Sequence, residues 1–345
     1  MNKLTKIGVS ALCGSLAAVA SAQAGELSVA GGATATYSSN EGAVTGNPIG
    51  MNTGITFTGS GELDNGTTFT LTITQADQIA YSAGSIAMTT PNMGGIKING
   101  KSGGTGVDRY DDMMPTAWEE TNGTSLGTGL QTVAGVGTAM NIEWTASADM
   151  LPEGTHFGIA LAPGAASGAT SNDKGVGGDS GGIGSGYDIT VGYTGLMDGL
   201  NVFGGFSNIE QTTDGTTAKP GTSGDRTQYV AGATYAVGSV TVGYQVSRDN
   251  LENVGDGVAS FYDNSAYGIS FAINDDLTLS YGMHKSDKSL TNASSVELEA
   301  QSLQMSYSMG GMSIKFAESS VDNASYTSGT SADNDGRTVA LTLAF

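Results

Sequence analysis

Carboxylate side chains are concentrated in one part of the sequence that has no regular pattern of apolar and polar residues. This part is residues 101–138, and its charged side chains after Lys101 are Asp108, Arg109, Asp111, Asp112, Glu119 and Glu120. Carboxylates around a narrow water-filled passage attract cations and repel anions. Two other interpretations are open. The stretch is either a solvated acidic loop, or it holds Ca²⁺ through Asp108, Asp111 and Asp112, although their spacing matches no EF-hand loop.

The rest of the chain alternates apolar and polar residues in segments of roughly 8–11 residues. In one of them, Phe69, Leu71 and Ile73 alternate with threonines. A period of two is typical of half-buried β-strands, and about sixteen such segments follow one another, which predicts an all-β fold. The alternation slips between Ala300 and Leu303, which predicts a β-bulge or a late strand start there.

Short and long connections alternate between these segments. Short ones such as Asp64-Asn65-Gly66 and Gly310-Gly311 have the composition of tight turns. The long ones are predicted at 38–48, 75–84, 101–138, 163–185, 207–226, 247–264, 284–295 and 317–336. This layout predicts a sixteen-stranded antiparallel transmembrane β-barrel with short periplasmic turns and long external loops. The third long loop, 101–138, is predicted to fold inward and to narrow the passage.

A closed sheet is predicted because unpaired backbone groups at a sheet edge find no water in lipid. A β-sandwich would also bury one face of every strand. However, Tyr37, Tyr187, Tyr229 and Tyr235 lie on the apolar face near segment ends. Aromatic girdles of this kind are typical of strands that cross a membrane interface, so they favour the barrel.

The first residues have the pattern of a cleaved signal peptide. Lys3 and Lys6 precede a short apolar stretch, and Ala22-Gln23-Ala24 forms a small-x-small cleavage site. We therefore predict a signal peptide over residues 1–24 and a mature barrel domain over 25–345. Cleavage would remove Cys13, the one cysteine, and would change the formal net charge from −20 to −22 because two lysines are lost.

Composition excludes several classes of function. The strongly negative charge argues against nucleic acid as a partner. No later segment is apolar for the ~18 residues that a transmembrane helix needs. No nucleotide, haem or metal motif occurs with the required spacing, so no cofactor is expected. His156 and His284 are the only histidines and lie in different segments without a motif, so we do not expect an enzyme.

The residues from Met88 to Gly100, which continue into Gly106 to Asp112, and the final segment ending at Phe345 carry a resemblance to a known family. Together with the sixteen-strand rhythm, they resemble the Gram-negative general porins, particularly those of the alphaproteobacterial type. The resemblance implies a homotrimer of outer-membrane barrels that passes small polar solutes and ions by passive diffusion. It also implies that Phe345 is an assembly signal for the barrel-assembly machinery.

This sequence differs from the family in having few basic residues to oppose the acidic loop. By their phase, Lys97, Lys101 and Lys315 face the lumen, and Arg109 lies in the loop itself. We predict that the three lysines oppose the loop carboxylates at the constriction; the alternative is that they are ordinary lumen residues. With so few bases, the pore is predicted to prefer cations.

Small residues on the outward phase of the first segment could contact a second barrel. Gly31, Ala33 and Ala35 lie beside Gly59 and Gly61 of the second segment. Since close helix or sheet packing in membranes favours small residues, we predict a trimer contact at Gly31, Ala33 and Ala35. The alternative is a stretch of wall that covers itself poorly against lipid.

The predicted function is therefore an outer-membrane porin, exported through its signal peptide, that conducts small hydrophilic solutes and prefers cations. The alternatives are a substrate-selective channel and a non-conducting structural or adhesive surface protein. Trp118 is interpreted as an anchor between loop and wall, with contact to solute as the alternative. Glu143 and Asp188 also point inward and are interpreted as residues that simply wet the lumen.

Overall fold

The computed structural model describes residues 25–41, 47–77, 79–100, 102–121, 126–166, 182–211 and 221–345. The predicted signal peptide and Lys101 lie outside the described residues. In the part of the chain that is described, no helix is long and apolar enough to cross a membrane.

Sixteen strands form the structure, and each pairs with its neighbours along the chain in antiparallel orientation. Their bounds are β1 Glu26–Glu41, β2 Ile49–Glu62, β3 Thr68–Ala76, β4 Ile79–Thr90, β5 Gly94–Gly100, β6 Met140–Thr145, β7 Thr155–Ala162, β8 Gly186–Tyr193, β9 Leu200–Ile209, β10 Arg226–Val237, β11 Val240–Asn250, β12 Ala259–Ala272, β13 Leu277–Leu290, β14 Val296–Met309, β15 Met312–Asp322 and β16 Asn334–Ala344.

The first and last strands close the sheet into a barrel. Tyr37 of β1 lies opposite Val339 of β16. Below this pair, the backbones of Gly31 and Phe345 exchange two hydrogen bonds, with N···O distances of 3.1 and 2.9 Å. The closed ring leaves no strand edge without a partner, as a sheet in lipid requires.

The period of two separates an apolar outer surface from a polar inner surface. Large apolar side chains such as Leu71, Val242 and Ile314 are exposed on the outside. On the inside, the hydroxyl oxygens of Thr34 and Thr342 lie 2.9 Å apart on neighbouring strands. The outer face therefore suits lipid, and the inner face suits a water-filled lumen.

Several strands extend further than the sequence predicts. The predicted long loops at 75–84, 247–264, 284–295 and 317–336 shrink because β3, β4 and β11 to β15 continue into them. On the outer face of these extensions, charged side chains pair across strands, as Lys285 does with Glu299 and Arg337 with Glu318. Cross-strand charge pairs can stabilise paired strands where apolar and polar residues do not alternate. The strands therefore continue beyond the alternating pattern from which they were predicted.

The predicted bulge in β14 is wrong. This strand runs from Val296 to Met309 and pairs without a register shift on both sides. The phase slip arises because Leu298 and Ala300 point inward, where they are buried against Tyr326 and the partly buried Leu130. An apolar patch on the inner wall, covered by loop residues, therefore interrupts the alternation.

Candidate pore constriction

The loop between β5 and β6 enters the barrel and packs on its inner wall. A short 3-10 helix, Gly106–Tyr110, follows the start of the loop. The Tyr110 ring lies 4.9 Å from the ring of Phe203 on β9, centroid to centroid. Val107 and Val133, from the two limbs of the loop, are buried in the same cluster. Apolar contacts thus hold the root of the loop against the wall.

Two wall carboxylates hold the backbone of this root. Asp188 on β8 is fully buried and accepts hydrogen bonds from the N–H groups of Val107, at 2.9 Å, and Val136, at 3.1 Å. Glu143 on β6 is 3% exposed and accepts from the N–H of Gly106, at 3.0 Å, and from the guanidinium of Arg109. Their interpretation as plain lumen-wetting residues is therefore wrong, since both are buried anchors of the loop.

Three buried glutamines on the wall hold the rest of the loop by its backbone. Gln228 on β10 accepts from two N–H groups of the returning limb, and Gln245 on β11 bonds the N–H of Met113 and two carbonyls. Gln304 on β14 accepts from the N–H groups of Trp118 and Glu119, each at 3.0 Å, and donates to the Glu119 carbonyl at 2.8 Å. A carboxamide both donates and accepts, so it can satisfy a peptide segment that has no strand partner.

Wall glycines make room for the loop. A Cβ atom at Gly243 would lie 2.8 Å from Pro115 Cδ, and one at Gly282 would lie 2.1 Å from Thr121 Oγ1. These positions lie on the inner face of β11 and β13. The loop therefore fits into a shallow trough of the wall rather than lying free in the lumen.

Replacing Gln304 by leucine is expected to loosen the loop near Trp118. The change leaves two N–H groups and one carbonyl without their partner, which costs about 2–4 kcal/mol of unfolding free energy. Single-channel recordings should show larger current noise. Gln301→Leu is the matched control, since Gln301 lies on the same strand and contacts only the outer Tyr281 hydroxyl among the described partners. Equal noise in both variants would contradict the anchoring role.

The loop carboxylates lie together on its first limb, and burial raises the pKa of each. Burial raises the pKa of Asp111 to about 7, with a further increase from Glu120. Burial also raises the pKa of Asp112 to about 6, with a contribution from Asp111. The pKa values of Asp108, Glu119 and Glu120 are also raised, mainly by burial. The charges of Asp108, Asp111, Asp112 and Glu120 therefore affect one another, whereas Glu119 interacts with Lys315.

The basic residues predicted at the constriction lie at two different places along the loop. Arg109 is paired with Glu143. Lys97 on β5 lies directly opposite Glu143 in the sheet, on the same face. Lys315 on β15 faces the loop, with its Nζ atom 5.9 Å from the centroid of the Trp118 ring. Lys315 is thus brought to the loop, whereas Arg109 and Lys97 gather at its root.

The inner face of the first strands and of β16 is lined with hydroxyl groups. Thr56 and Thr74 contact each other at 3.1 Å, as do Ser38 and Thr338. The sequences of β1 to β4 contain no lysine or arginine. Positive charge therefore does not balance the loop carboxylates from that side.

The aspartates do not converge as a calcium site requires. Among the described residues, no group of three or more His, Cys, Asp or Glu side chains could hold a metal ion. Asp108 instead accepts the N–H of Gly104 at 2.6 Å, and Asp112 that of Met114 at 2.8 Å. We therefore do not propose Ca²⁺ binding at Asp108, Asp111 and Asp112.

The sequence profile of the Gram-negative porins matches residues 8–344, which is nearly the whole chain. This chain belongs to the Gram-negative porin family. No curated protein matches it significantly. The resemblance to general porins is confirmed; the alphaproteobacterial type stays a prediction.

Several solved structures share the fold of this porin at low sequence identity. OmpF of Salmonella typhi is 16% identical, with a TM-score of 0.67 over 92% of this chain and 97% of that chain. OmpT of Vibrio cholerae in a trimer form is 12% identical, with a TM-score of 0.66 over 93% and 99%. An anion-selective porin from Comamonas acidovorans is 13% identical, with a TM-score of 0.61 over 93% and 100%. Since these likenesses show the fold alone, the ion preference has to be argued from side chains.

Family and fold together confirm the predicted sixteen-stranded barrel and its place in the outer membrane. They indicate a channel for small solutes rather than an enzyme. The loop that the sequence predicts at 101–138 packs on the inner wall, and its bounds agree within two residues with the end of β5 and the start of β6.

Same-chain rings occupy part of the small-residue patch on the outer face of the porin. A Cβ atom at Gly31 would lie 2.9 Å from the Phe345 ring, and one at Gly61 would lie 2.5 Å from the Phe69 ring. Ala33 is partly exposed, Ala35 is exposed, and Phe345 is 79% exposed. The Phe345 ring of the same chain therefore explains why position 31 is a glycine. The trimer contact at Gly31, Ala33 and Ala35 stays a prediction.

Proposed function

We propose that this porin is a cation-preferring diffusion channel whose constriction is formed by Asp108, Asp111, Asp112, Glu119 and Glu120. The observation that carries the proposal is the imbalance of charge at the loop. Five carboxylates lie on one limb, Arg109 is already paired, and β1 to β4 carry hydroxyl groups and no lysine or arginine. An excess of fixed negative charge in a narrow aqueous pore raises the local concentration of cations.

The geometry favours general diffusion over a site for one substrate. Hydroxyl ladders on the wall offer many equivalent hydrogen bonds and no single convergent set of groups. Specific ligand sites, in contrast, surround their ligand with a few precisely placed polar groups. The porin is proposed to act as a homotrimer, as the trimer form of its Vibrio cholerae relative supports. Phe345, paired with Gly31 at the closing seam, is proposed to be the assembly signal.

Planar-bilayer recording of the purified porin under a KCl gradient tests the proposal. Openings in three equal steps with a reversal potential in the cation direction are expected. An anion-directed potential would refute the cation preference. Current that saturates with one solute would favour the substrate-selective alternative. Absence of current from correctly folded protein would favour the structural or adhesive alternative.

Replacing both Lys97 and Lys315 by glutamine is expected to increase cation selectivity. A unit charge at ~8 Å in water changes the energy of an ion by about 0.5 kcal/mol, so the K⁺/Cl⁻ permeability ratio should rise about twofold or more. Reversal potentials measure the ratio. Lys285→Gln is the control because Lys285 pairs with Glu299 on the outer face. An unchanged ratio in the double variant would show that both lysines are ordinary lumen residues.

A further inference from the structure

Trp118 lies on the first limb of the loop, with part of its ring exposed. The loop is fixed here through the backbone, since the N–H of Trp118 donates to Gln304. The indole is only partly buried. Its ring N–H makes no hydrogen bond among the described residues, and one face of the ring lies near a wall lysine. The backbone of Trp118 therefore anchors the loop, and the exposed part of its ring can contact solute.

The position of Lys315 shows what the ring can bind. Its ammonium group lies 5.9 Å from the centroid of the Trp118 ring, within the range of a cation–π contact. Glu119, the next residue of the loop, interacts electrostatically with the same ammonium group. The wall lysine thus occupies a place that combines an aromatic face with a carboxylate. Aromatic faces bind quaternary ammonium groups in proteins, and a neighbouring carboxylate adds an attraction between opposite charges.

We propose that Trp118 and Glu119 form a transit site for organic cations with an apolar body, and that Lys315 is a built-in competitor for it. The proposal rests on the proposed cation-preferring channel and names a class of solute for its constriction. Small inorganic cations keep their water and pass without the ring. A quaternary ammonium group is weakly hydrated, so it gains from the indole face and from the carboxylate together.

Choline and its neutral isostere 3,3-dimethylbutan-1-ol test the site. Each is added to porin channels conducting KCl, and the concentration that halves the single-channel current is measured. We expect choline to act at a lower concentration than the neutral isostere. Trp118→Leu should weaken the effect of choline by about three- to thirty-fold, and Trp118→Phe should largely keep it. The isostere should respond much less to either change.

Lys315→Met gives the opposite expectation. Replacing Lys315 uncovers the ring face and removes a charge that repels cations. Choline should therefore act at a lower concentration than in the unmodified porin. Heat-modifiable mobility and KCl conductance establish that each variant is folded and open.

Equal effects of choline and the isostere, or an unchanged choline effect in Trp118→Leu, would overturn the site. An unchanged or weaker effect in Lys315→Met would overturn the competitor role. The KCl reversal potential, read in the same recordings, distinguishes these failures from failure of the cation preference itself.

Discussion

Replacing Asp188 by alanine is expected to release the root of the constriction loop while the barrel stays closed. The carboxylate is fully buried and holds both limbs, through the N–H groups of Val107 and Val136. Alanine leaves both N–H groups without an acceptor in a place that water reaches poorly. A buried group that loses its partner costs about 1–3 kcal/mol, so the variant should lose about 2–5 kcal/mol of unfolding free energy.

Two glycines let the loop backbone approach the Asp188 carboxylate closely. Cβ atoms at Gly106 and Gly135 would lie 2.0 and 2.1 Å from the Asp188 carboxylate oxygen. Both glycines have positive φ angles, of 59° and 50°, which other residues rarely adopt. The loop backbone therefore approaches the carboxylate from two sides, and no other described side chain takes its place at these N–H groups.

Urea unfolding in lipid vesicles measures the loss of stability, and single-channel recording measures the release of the loop. Conductance should rise and the open current should become noisier. Asp198→Ala is the control, because Asp198 is exposed in the turn that follows the same strand. If Asp188→Ala kept the stability and the quiet current of the unmodified porin, the loop would have to be held by the apolar cluster and the glutamines alone.

The wall of the porin could be predicted from the sequence because one physical rule governs each of its positions. Phe69, Leu71 and Ile73 face outward since lipid surrounds the barrel, and the threonines between them face water. The rule fails where its cause is absent. Beyond the membrane, paired charges such as Lys285 and Glu299 extend the strands, and Leu298 points inward because loop residues cover it.

The contacts of the loop could not be predicted in the same way. Asp188, Gln228, Gln245 and Gln304 all occupy inward positions, which the period of two identifies. That period does not tell which inward polar residue touches the loop and which touches water. The contact depends on the path of residues 101–138 across the lumen, and nothing local in the sequence encodes it. A buried Asp or Gln on an inner wall is informative only once the loop is placed.

Cation selectivity is expected to increase as the pH rises from 5 to 8. Burial and the charge of Glu120 raise the pKa of Asp111 to about 7, and burial raises the pKa of Asp112 to about 6. Both carboxyl groups are therefore largely protonated at pH 5 and ionised at pH 8. The constriction gains up to two negative charges across this range, and each added charge attracts cations and repels anions.

The stability of the loop should change in the opposite direction. A carboxyl group whose pKa is higher in the folded protein than in the unfolded chain binds protons more readily when folded. The packing around Asp111 is then most favourable below about pH 4 and weakens as the pH rises to about 7. The porin is thus expected to be most selective where its loop is held least tightly, because the same burial causes both effects.

Reversal potentials under a KCl gradient, recorded at several values between pH 5 and pH 8, measure the selectivity. Asp111→Asn should lower selectivity at pH 8, change little at pH 5, and remove the part of the titration near pH 7. Asp276→Asn is the control, since Asp276 lies exposed in a short turn at the end of the barrel. If Asp111→Asn titrated like the unmodified porin, the pH dependence would have to come from other groups.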